Sequence, residues 1–103
     1  MKLTLTARHL EITPHLRKHV EDRLSRLDKF DGHIQQSEVI LFQDRAFGIA
    51  EGKVHLGHSV IAAKGQAPDI YDAVNELFDK LLAQMQRYEG KLKDRRRQSA
   101  EAE

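Results

Sequence analysis

From Asp69 to Arg97 the chain reads as one long helix that carries a single apolar stripe down its length. At ~100° per residue, Ile70, Val74, Leu77, Phe78, Leu81, Met85, Tyr88 and Leu92 fall on one face. Such a stripe has to be laid against another apolar surface, because helices in small proteins are stabilised chiefly by packing of that face. The upstream segments are short enough and patterned enough to supply it.

Lys2 to Ala7 alternates Leu3, Leu5 and Ala7 against Lys2, Thr4 and Thr6, the period of two expected of a half-buried strand. Thr13 followed by Pro14 reads as a helix N-cap with proline at the first helical position, where it has no needed N–H to lose. Leu16, Val20, Leu24 and Leu27 then recur at helical spacing, placing a first helix from Pro14 to about Lys29, with Gly32 ending it. Three β segments follow at Ser37 to Asp44, Ile49 to Leu56 and Ser59 to Lys64, the last two separated by Gly57-His58 at hairpin distance. Gly65 to Pro68 reads as a break, and Asp69 as the cap of the final helix. The order is β-α-β-β-β-α. It predicts an α+β fold with an antiparallel or mixed four-stranded sheet, both helices on one face and the other face solvated.

At 103 residues and 40% hydrophobic content there is room for one core, so residues 1–97 are expected to form a single domain and 98–103 a short, frayed polar tail. Cysteine is absent, which excludes disulfides, thiolate metal sites and a cysteine nucleophile. No apolar run approaches the ~20 residues of a bilayer span and the N-terminus alternates, so a cytoplasmic protein without membrane contact is expected.

The net charge of +1 hides an asymmetry. Arg87 to Arg97 holds six basic and two acidic residues, against eleven and twelve in Met1 to Gln86. Lys80, Arg87 and Lys91 project within about 40° of one another beside the apolar stripe, and Glu76 and Asp94 lie close enough to offset them in part. The first helix repeats the arrangement with His19, Arg23 and Arg26. Basic residues at a helix C-terminus also suit the macrodipole, which alone accounts for Arg95-Arg96-Arg97 as well as a ligand would. Two ordered flanks are harder to assign to that cause and point to a polyanion, most simply a nucleic acid gripped through its phosphates.

Enzymatic chemistry is not indicated. His55-x-x-His58 with Glu51 is the best histidine cluster, but residues three apart in a strand point to opposite faces, which disfavours shared zinc ligation. Gly48 and Gly52 flank no Gly-Lys-Ser/Thr sequence, so no phosphate-cradling loop is expected. With four Phe, two Tyr and no Trp, and with Phe78 and Tyr88 on the apolar face, an aromatic base-stacking platform has little support. Phe47 is expected to fold over a sheet edge.

Taken along its length the chain resembles the short ribosome hibernation-promoting factors of the ribosome-associated inhibitor (sigma-54 modulation protein) family. The resemblance rests on the opening strand, on Ile12-Thr13 with Leu16-Arg17, and on the strands ending in AAKGQ. In the final helix it rests on Tyr71-Asp72-Ala73, Asp79-Lys80-Leu81, Gln84, Arg87 and Lys91. It implies a fold similar to a double-stranded-RNA-binding domain and a translation inhibitor of idle ribosomes. That inhibitor would act by occupying the mRNA/tRNA channel of the small ribosomal subunit. By position, the residues it implies at ribosomal RNA are Arg23, Arg26, Lys80, Arg87, Lys91 and Lys93, with no catalytic residue, metal, cofactor or small-molecule substrate. Tyr88-Glu89-Gly90 departs from the more basic pattern usual there, and Gly90 costs ~1 kcal/mol of helix propensity, so the helix is expected to weaken at that point. The long members' C-terminal dimerisation domain has no counterpart in these residues, and a monomer is expected. The rival readings are a free duplex-RNA-binding module and a small histidine enzyme.

Overall fold

A computed structural model of the chain describes residues 2–31, 34–57 and 59–101, with side chains for 2–29, 34–57 and 59–87. The elements are β1 (Lys2–Arg8), α1 (Pro14–Asp31), β2 (Ile34–Gln43), β3 (Gly48–Leu56), β4 (Ser59–Ala67) and α2 (Ile70–Glu101). Gly32 and His58, read as a helix end and half of a turn, lie outside the described residues. The sheet order is β1-β2-β3-β4, with β1 parallel to β2 and the other neighbours antiparallel, so the sheet is mixed. Helix α1 is the crossover that a parallel β1–β2 pair requires.

Both helix starts follow from their caps. The Thr13 hydroxyl accepts the Leu16 N–H at 3.1 Å while the Thr13 carbonyl accepts the Arg17 N–H at 2.9 Å. The Asp69 carboxylate accepts the Tyr71 N–H at 2.7 Å, and the Asp69 carbonyl accepts from Ala73 at 3.1 Å. Each cap satisfies an N–H that the first helical turn leaves without a partner.

The core is the meeting of the two stripes with one sheet face. Leu16, Val20, Leu24 and Leu27 of α1 and Val74, Leu77, Leu81 and Met85 of α2 are buried against Val39, Leu41, Ala50, Val54 and Ile61. Tyr88 and Leu92, placed on the same stripe by the sequence, have side chains outside the described residues.

Two differences from the sequence reading have physical causes. Strand β4 continues through Gly65 to Ala67, where a break was expected. Gly65 pairs with Ala50 and is glycine for closeness of approach, since a Cβ there would sit 2.2 Å from the Ala73 carbonyl oxygen and 2.7 Å from the Leu77 nitrogen. Helix α2 runs past Gly90 and Arg97 to Glu101, through a QSAE stretch rich in helix formers and free of glycine and proline. Phe47, expected to fold over the sheet edge, is 40% exposed. That loop is held around Asp44, whose N–H donates to the Phe47 carbonyl at 2.9 Å and whose carboxylate accepts the Arg45 N–H at 2.7 Å.

The second sheet face is open and mostly polar, as predicted. Glu38 faces His55 at 3.8 Å and Glu51 faces Lys64 at 3.9 Å, and Ile40, Phe42 and Ile49 are half-buried on the same face. No helix among the described residues is long and apolar enough to cross a membrane.

Candidate nucleic-acid interface

Helix α2 separates the predicted basic residues into two groups. Its sheet-facing stripe has one flank against the outer edge of β4 and the other toward α1. Arg23 and Arg26 of α1 line a groove on the α1 side together with Leu27, Phe78, Asp79 and Leu82. Arg26 is exposed and Arg23 half-buried, as expected of long side chains that lay their stems on apolar surface and keep the guanidinium in water. Asp79 adds one carboxylate to the same groove.

Lys80 lies on the opposite flank. Its ammonium donates to the Lys64 carbonyl at 2.8 Å and sits 3.0 Å from the Glu76 carboxylate. The hydrogen bond from the Lys80 ammonium to the Glu76 carboxylate, ahead of the Lys80 charge itself and of a hydrogen bond from the Gln66 backbone, holds the Glu76 carboxyl below the usual carboxylate range despite some desolvation. One turn on, the Gln84 amide donates to the Ala62 carbonyl at 2.6 Å. Lys80 and Gln84, four residues apart, thus cover the outward carbonyls of Lys64 and Ala62. An uncovered row of this kind is a template for pairing with another strand. Lys80 therefore serves the sheet edge as well as the local potential, a role that its position among basic residues does not disclose.

Arg87, two turns beyond Lys80 on the same flank, is exposed. Lys91, Lys93 and Arg95-Arg96-Arg97 continue the helix, with side chains outside the described residues. The structure thus brings Arg23 and Arg26 together in one groove and sets Lys80 and Arg87 across α2 from them.

A group of side chains that sequence reasoning did not assemble stands where the first turns of α1 and α2 meet. The His15 and His19 rings lie 5.5 Å and 5.2 Å from the Tyr71 ring, inclined to it at 51° and 68°. His19 Nε2 is 2.9 Å from the Asn75 side-chain oxygen, so the ring nitrogen donates and ties α1 to α2. The i, i+4, i+8 spacing of His15, His19 and Arg23 was the available signal. Among the described residues no group of three or more His, Asp or Glu side chains is placed to hold a metal ion.

Comparison with known proteins agrees along nearly the whole chain. The family model described as sigma 54 modulation protein / S30EA ribosomal protein matches residues 3–93. A ribosome hibernation promoting factor of Klebsiella oxytoca is 33% identical over 93 residues, which cover 90% of this chain and 98% of that protein. Ribosome-associated factor Y of Haemophilus influenzae is 28% identical over 93% of this chain and 90% of its own length. Among solved structures, a ribosomal subunit interface protein from Coxiella burnetii superposes with a TM-score of 0.82 at 28% identity, covering 87% of this chain and 99% of that one. The N-terminal domain of Thermus thermophilus Protein Y superposes at 0.77 with 31% identity, covering 84% and 94% respectively. With its β-α-β-β-β-α order, its two basic helix flanks and a match from residue 3 to residue 93, the chain belongs to the sigma 54 modulation protein / S30EA ribosomal protein family.

Proposed function

We propose that this protein is a ribosome hibernation factor of the cytoplasm that binds the small ribosomal subunit in the mRNA/tRNA channel and inhibits translation by occupancy. The observation that carries the reading is the near end-to-end match to proteins named ribosome hibernation promoting factor, which leaves only 2% of the Klebsiella relative's length uncovered. The mechanism needs no bond chemistry. A rigid helix pair delivers cationic side chains to RNA phosphates, which supplies affinity without sequence reading and makes binding strongly salt-dependent. Arg23 and Arg26 engage RNA from the groove side of α2 and Arg87 from the other, with Lys91 and Lys93 as further RNA contacts along the helix. Lys80 contributes to the same potential while anchored at the β4 edge. A monomer suffices for this action.

Sedimentation distinguishes the reading from its rival. The protein is expected to travel with isolated small subunits at low salt and to bind them in clear preference to a free RNA duplex. Equal affinity for both would support a stand-alone duplex-RNA module, and protein left at the top of the gradient would overturn ribosome binding altogether.

A further inference from the structure

The histidine and tyrosine rings at the start of the helix pair are placed for a task that phosphate contacts do not perform. From the juxtaposition of the His15 and Tyr71 rings at the start of the helix pair, we infer that the protein holds an unpaired nucleobase there, stacked on His15 against Tyr71, with the phosphates of its strand running toward Arg23. The inference deepens the proposed ribosomal-RNA contact and rests on it.

The geometry favours a planar guest. The His15 imidazole is exposed and stands at 51° to the Tyr71 ring, so the two do not stack on each other and form an open corner. Tyr71 is held in place on three sides. It packs against the core, the Asp69 carboxylate fixes its backbone N–H, and the edge of its contact with His19 is set by the His19–Asn75 hydrogen bond. A ring immobilised before binding loses little entropy when a base stacks beside it. Arg23 lies eight residues along α1 from His15, about 12 Å farther along the helix axis, where it meets a phosphate of a neighbouring nucleotide of the same strand. Base stacking on such rings tolerates any base, because every base offers a π-face, and it serves unpaired nucleotides rather than duplex.

The test measures affinity of the full chain for small subunits over a range of salt, and for single-stranded octaadenylate by ring-proton NMR. His15→Ala and Tyr71→Leu are expected to weaken subunit binding about 5- to 100-fold, the range for loss of one stacked base. The slope of log K against log salt should stay unchanged, because no phosphate contact is lost. Tyr71→Phe keeps the ring and should bind as wild type, and thermal melts confirm that each variant is folded. Octaadenylate should shift the His15 and Tyr71 ring protons upfield in the wild-type chain. Wild-type affinity in both truncated variants, or an equal loss in Tyr71→Phe, would overturn the stacking site, as would absence of the upfield shifts while subunit binding persists. Failure of the wild-type chain to bind subunits would instead strike the proposed function.

Discussion

Replacing Gly65 with alanine is expected to cost the fold about 3 kcal/mol, at the upper end of what overpacking of a core does. The added Cβ would lie 2.2 Å from the Ala73 carbonyl oxygen and 2.7 Å from the Leu77 nitrogen, both backbone atoms of α2 that no rotamer change can move aside. The helix must lift from β4. That movement loosens Leu77, which is fully buried, and stretches the bonds from Lys80 and Gln84 to the β4 edge. Urea unfolding reads the effect as a lowered midpoint. Gly57→Ala is the informative contrast, because nothing lies within 4 Å of its Cβ position and only its φ of +33° opposes the change. A Gly65→Ala midpoint equal to wild type would mean that α2 does not pack on β4 as described.

The second large effect concerns binding. Simultaneous reversal of Arg23, Arg26 and Arg87 to glutamate is expected to weaken small-subunit binding at least about a hundredfold near physiological salt. It should also flatten the salt dependence by about two to three units of slope, since each lost phosphate contact removes roughly 0.7 to 0.9. All three side chains are wholly or partly open to solvent, so stability should change little by comparison. Lys80 is left out of the set because its reversal would place a carboxylate beside Glu76 and the Lys64 carbonyl, mixing a binding effect with damage to the sheet edge. Unchanged affinity and slope in the triple variant would remove the role assigned to the helix flanks.

Features set by local chemistry were legible before the structure. Thr13-Pro14 and Asp69 specify helix starts through hydrogen bonds that involve only neighbours in the chain, and the two leucine-rich stripes follow from helical period. What the sequence concealed depends on partners far along the chain. Gly65 reads locally as a breaker, and only the approach of α2 turns it into a strand residue. Lys80 reads as one more cation until the β4 carbonyls are brought beneath it. His15 and Tyr71 are 56 residues apart, and nothing in either segment announces that their rings meet. Helical projection puts Arg23 and Arg26 on one side of α1 and Lys80 and Arg87 on one side of α2, but their separation across α2 appears only once α1 is docked on one side and β4 on the other.

These placements bear on how the protein meets the ribosome. A pair of flanks on opposite sides of one helix suits a ligand that surrounds α2, as the walls of a channel do, better than a single flat duplex face. The most direct test of occupancy is to measure binding to small subunits that are empty and to subunits already filled with mRNA and tRNA. Binding to the empty subunits should be tight and salt-sensitive, and a filled channel should compete with it strongly. Equal binding to filled and empty subunits would contradict occupancy.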